Sequence, residues 1–125
     1  MKKLFLTIAL FLCFPVMADW KYIATEEETE SEFFLDFETL RTDGNVRRIW
    51  QLVNLKSGDK NGWGSIRSRM EFDCKNDTTQ GHSVIAFSEK FVGGKVIFQA
   101  NKSTTKSDVA PNTVGWTVLK EVCKR

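Results

Sequence analysis

One stretch constrains this chain more than any other. Residues 65–74 read Ser-Ile-Arg-Ser-Arg-Met-Glu-Phe-Asp-Cys. Ile66, Met70, Phe72 and Cys74 share one side of an extended backbone, with Ser68 the one interruption. Arg67, Arg69, Glu71 and Asp73 share the other. Alternation with a period of two predicts a strand with one buried and one wet face. A chain built on such a strand needs a sheet, and something to cover the apolar side of it.

The first 18 residues stand apart. Lys2 and Lys3 precede an apolar run over residues 4–14, and Pro-Val-Met-Ala at 15–18 sets small residues where a signal peptidase reads. That pattern predicts a secretory signal peptide over residues 1–18, with Asp19 as the mature N-terminus and residues 19–125 as one domain. The run falls short of the ~20 residues a membrane-spanning helix needs. Cys13 as a lipid-carrying residue would want a small neighbour before it and has Leu12, so it leaves with the signal.

Export changes two arguments. The chain carries 18 Lys and Arg against 16 Asp and Glu. Lys2 and Lys3 go with the signal, so the remainder is formally neutral and no strong global field draws it to nucleic acid; no later stretch is apolar enough for stable membrane insertion. Cys74 and Cys123 become an even pair in an oxidising compartment, which predicts a disulfide; the alternative is two free buried thiols. Two cysteines and one distant histidine do not make a metal cluster, and no cofactor is implied.

In chain order, residues 20–24 read as a short strand and 25–31 as a glutamate-rich solvated loop without calcium-loop spacing. Residues 32–36 read as a second strand. Asp36 then suits the N-cap of a short helix over 37–40, and 42–45 form a turn around Gly44. Residues 45–55 are apolar on both parities, as a central strand should be. Residues 56–64 and 75–81 read as loops. Residues 82–92 and 95–101 read as strands joined tightly at Gly93-Gly94, and 102–110 as loop. After Pro111, Asn112 or Thr113 can cap a helix in which Trp116, Leu119, Val122 and Cys123 recur on one side. The expected fold is α+β: a mostly antiparallel sheet of about six strands under one C-terminal helix.

Catalysis has little to stand on. His82 is the one histidine. On a regular strand its neighbour Ser83 points to the other face, so the two do not pair as base and nucleophile. Glu71 and Asp73 read as a mixed-charge face beside Arg69 rather than an acid–base pair. The glycines at 62 and 64 lack phosphate-loop spacing, and Asn-Asp-Thr at 76–78 is a short acceptor pattern that arises by chance. Arg67, Arg69 and the nearby Lys75 form the one patch suited to a partner, because arginine forks grip carboxylate, sulfate or phosphate. The bland alternative is a solvated strip balanced by Glu71 and Asp73.

Taken together, several pieces resemble the bacterial surface-adhesin protein E family along nearly the whole mature length. These are the early strand with Trp20, Leu35-Asp36 leading into Leu40-Arg41 and Gly44-Asn45, and residues 46–52 with Trp50. The strand ending Phe72-Asp73-Cys74 and the tail from Pro111 to Cys123 complete them. The resemblance implies a sheet of about six antiparallel strands with a helix tied to it by Cys74–Cys123. It also implies binding of host matrix proteins such as vitronectin and laminin, and it allows for a homodimer. The family's binding segment falls here on residues 65–82, with Arg67 as the matching basic residue. Phe37 stands where the family often has proline, and Leu12 argues against an acylated N-terminus. Two readings follow: a non-catalytic adhesin-type binding protein, or a periplasmic inhibitor or assembly factor that never meets a host.

Overall fold

The computed structural model describes residues 18–56 and 59–125. The signal-peptide reading, with Cys13, and Gly58 of the glycine-rich loop lie outside the described residues, Ala18 excepted. Seven strands and one helix follow in order: β1 (Lys21–Thr25), β2 (Glu32–Asp43), β3 (Val46–Asn54), β4 (Ser65–Asp73), β5 (Thr78–Phe87), β6 (Val96–Ala100), β7 (Ser107–Asp108) and α1 (Val114–Cys123). Strands β1 to β6 lie side by side in sequence order, every pair antiparallel, and β7 pairs with the start of β5. Each strand meets its predecessor through a local connection, the least demanding way to order a sheet.

Alternation in β4 does what its pattern predicts. Ile49 pairs with Met70 and Val53 with Ile66, so these side chains share the face beneath the helix, and Phe72 is buried there. Leu35, Ile49, Phe72 and Val109 form the core with Val118, Leu119 and Val122 of α1. Thr113 is the N-cap: its Oγ1 accepts from Trp116 N–H at 3.2 Å. The buried stripe includes Val118, which the spacing from Trp116 passed over. Trp116 and Cys123 lie at its margin. The Cys74–Cys123 disulfide joins the end of β4 to the last turn of α1.

Four expectations need correction. Residues 37–40 are not helical; β2 runs through them as a bulge, and its register to β3 shifts between Asp36 and Arg41. Asp36 has the capping contact, with Oδ1 accepting from Glu38 N–H at 3.1 Å, but here it holds a bulge. Thr39 completes the clamp, donating to Asp36 O at 2.7 Å and accepting from Trp50 N–H at 3.0 Å. A side chain that satisfies local N–H groups can end a helix or pin an irregular strand, and tertiary pairing chooses.

Next, β5 begins at Thr78, inside the stretch read as loop, and ends at Phe87. The link to β6 spans residues 88–95 and folds over the sheet as a flap rather than a tight turn. Phe91 packs edge-on against Phe34, with ring centroids 5.2 Å apart. Buried Asn54 accepts from Phe91 N–H at 2.9 Å. Buried Ser65 donates to Glu89 O at 2.6 Å and accepts from Val92 N–H at 3.0 Å. Phe91 and Val92 both have φ near +55° (54° and 56°), a conformation that a β-branched residue adopts only when held. Finally, residues 107–108, read as loop, add β7 to the sheet.

Candidate functional site

The face of the sheet opposite α1 carries the charged residues of β4. Register sets the neighbours: Leu52 pairs with Arg67, Trp50 with Arg69 and Arg48 with Glu71, while Arg41 pairs with Arg48. Paired residues share a face. Trp50 therefore lies among Arg48, Arg67 and Arg69, with Arg41 one strand further out.

The three residues of the expected basic patch have different surroundings. Arg67 is half-buried. Its guanidinium carbon lies 5.1 Å from the Trp50 ring centroid and 5.9 Å from that of Phe87. Its Nε is buried without a hydrogen-bond partner among the described residues. Arg69 is exposed and helps line an open bowl of about 380 Å³ with Arg41, Arg48, Trp50, Glu38 and Thr39. Lys75 is exposed in the turn after β4, where its backbone N–H donates to Asp73. So the structure brings Arg69 together with Arg41 and Arg48, two residues the sequence reading left out. Their shared face follows from the β2 bulge and the β2–β3 register, neither of which the spacing in β4 encodes.

The carboxylates expected to balance this strip are engaged elsewhere. Glu71 accepts from Arg48 Nε at 3.0 Å and lies 3.3 Å from His82 Nε2. Burial pushes its carboxyl upward, but the hydrogen bonds and charges of Arg48 and His82 outweigh that and hold it below the ordinary value. Asp73 accepts from Asn76 Nδ2 and from the backbone N–H groups of Lys75 and Asn76 at 2.9–3.0 Å. Hydrogen bonds from the Asn76 side chain and backbone, aided by Lys75 N–H and the charge of Lys106, hold its carboxyl low against the opposing effect of burial. Among the described residues neither Arg67 nor Arg69 makes an ion pair.

His82 is the extra residue of a β-bulge. Arg69 pairs with Ser83 but Met70 pairs with Gly81, so His82 has no partner across the ladder. The bulge turns its ring toward Glu71 and breaks the strict alternation that set Ser83 on the opposite face. Its Nδ1 lies 2.9 Å from Ser103 Oγ, a contact that sequence spacing did not suggest. Ser103 belongs to an exposed loop that returns along β5, where Thr104 N–H donates to Gly81 O at 2.8 Å. Glu71, His82 and Ser103 thus form a hydrogen-bonded line tying that loop to β4. Among the described residues no group of three or more His, Cys, Asp or Glu is placed to hold a metal ion. No helix there is long and apolar enough to cross a membrane.

Comparison with known proteins places these features in a wider setting. The family model for surface-adhesin protein E matches residues 20–124. Among solved structures, crystal form II of Haemophilus influenzae protein E is similar with a TM-score of 0.60 at 17% identity, over 82% of this chain and 87% of that one. Protein E from non-typeable Haemophilus influenzae is similar with a TM-score of 0.57 at 17% identity, over 88% and 80%. At such identities the likeness to the solved structures is one of fold. No curated protein sequence matches the chain.

Proposed function

This chain belongs to the surface-adhesin protein E family, and from that premise we propose that it is an exported, non-catalytic binding protein of adhesin type. Residues 1–18 act as the signal peptide and 19–125 as the binding domain. The contact strip is Arg67, Arg69 and Lys75, and it takes acidic groups on a partner protein, a host matrix protein of the vitronectin or laminin kind. One observation carries the reading: Glu71 and Asp73, the acids on the same face of β4 as the arginines, are already committed to Arg48, His82 and the β4–β5 turn. An unpaired arginine beside Trp50 is a grip for a carboxylate or sulfate.

The test uses Arg69→Glu with Lys75→Glu, since both side chains are exposed and their loss spares the sheet. Binding to immobilised vitronectin and laminin should fall to background. Unchanged binding would remove the strip from the contact. If neither matrix protein binds the parent protein and osmotic shock alone releases it from cells, the partner is an envelope protein and the chain acts in the periplasm.

A further inference from the structure

Strand β6 ends the sheet, and its side chains are out of keeping with an edge left in water. Val96, Ile97 and Phe98 are 55%, 45% and 45% exposed. Successive residues of a strand face opposite sides, so apolar groups stand bare on both. Trp63 stacks on Phe98 with centroids 5.6 Å apart and extends the patch. One edge of β6 pairs with β5; among the described residues nothing pairs with the other. Contiguous apolar surface around an open edge marks a place where a strand can be added.

Charge says which strand. Lys95 precedes β6 and Lys102 follows it, both exposed, and Lys90 projects from the flap. A second copy is a poor fit. Antiparallel pairing of β6 with itself about its middle residue, Phe98, would set Lys95 of each copy opposite Asn101 and one residue from Lys102 of the other, a like-charge clash gathered at both ends. A segment with apolar residues at its centre and acidic residues at its ends meets the same edge with attraction at both. We propose that β6 is a docking edge for such a segment of a partner protein, which joins the sheet as an added strand. The site lies two strands from the arginine strip and stands independently of it.

The experiment titrates the whole protein with two synthetic peptides, each alternating valine and threonine, one ended by glutamates and one by lysines. Amide signals of residues 96–100 report the binding site. The glutamate-ended peptide should shift and protect them, and bind about tenfold more tightly than the lysine-ended one, as two reversed end pairs would give. Ile97→Lys should abolish that binding with the melting temperature unchanged. Lys95→Glu should make the protein self-associate through β6, since the clash becomes an attraction. Equal binding of the two peptides, protection elsewhere on the sheet, or full binding by Ile97→Lys would overturn the proposal. So would protection of β6 in the free parent protein that rises with its own concentration, which would make a second copy the occupant.

Discussion

The guanidinium of Arg67 lies over the indole of Trp50, with 5.1 Å from Cζ to the ring centroid, and Phe87 faces it at 5.9 Å. A half-buried cation between aromatic rings contributes about 1–2 kcal/mol. Arg67→Ala should therefore lower the melting temperature by about 5 °C or more, whereas Arg69→Ala should leave it within a degree or two. Thermal unfolding of the two variants side by side reads the difference. Equal melting temperatures would mean that the stack adds nothing.

Cys74 directly follows β4 and Cys123 lies in the last turn of α1, 49 residues apart in the chain. Closing a loop of that length restricts the unfolded chain by about 4 kcal/mol in the chain-entropy model. Its loss should be felt first at the helix, which has ten residues, a Gly at its second position and a single buried face. A helix of that length depends on packing more than on its own propensity. Cys74→Ala with Cys123→Ala should unfold at markedly lower denaturant, with amide exchange in residues 114–123 rising before that in β3 and β4. Simultaneous exchange of helix and sheet would show that the bond does not hold the helix separately.

How much of this was legible depended on how local the cause was. The alternation in β4 and the stripe of Leu119, Val122 and Cys123 are properties of single elements, and the sheet with its helix follows from them. Asp36 misled because its capping contact is real but serves a bulge, and only the pairing of β2 with β3 decides between the two. Gly93-Gly94 looked like a tight turn because the latch that makes a flap of residues 88–95 comes from Asn54 and Ser65, on other strands. The site divides the same way. Arg67 and Arg69 on one face could be read from their spacing. Arg41 and Arg48 beside them, and His82 turned toward Glu71, depend on bulges in β2 and β5 that leave no mark in residue type.

The flap gives a test of that latch. Asn54 Oδ1 accepts from Phe91 N–H, and Gly64 lies so close beneath that an added Cβ would meet the Glu89 backbone at 2.5 Å. Asn54→Ala removes a part-buried hydrogen bond, at a cost of about 1 kcal/mol, and frees two residues held at positive φ. Gly64→Ala should push the flap off by contact. Both variants should expose Phe34 and increase proteolytic cutting within residues 88–95, while the α1 side of the sheet stays protected. Cutting no faster than in the parent protein would mean that the flap is held by Phe91 packing alone.

Glu71 supplies the pH dependence. Burial raises its carboxyl, Arg48 from β3 and His82 from β5 lower it, and the net position is below the ordinary 4.5. A carboxyl held lower in the folded protein binds its proton more weakly there than in the unfolded chain. It therefore contributes stability that is fully present above pH 4.5 and is lost as pH falls through that value toward the folded one. Arg48 is 53% exposed, so solvent screening keeps its share small and the whole contribution on the order of 1 kcal/mol. Glu71→Gln should be less stable than the parent at pH 7 by about that amount, and the two should converge as the pH is lowered below 4. Denaturant midpoints across pH 3 to 8 measure both curves. A constant gap between them at every pH would show that the loss comes from packing and not from the charge.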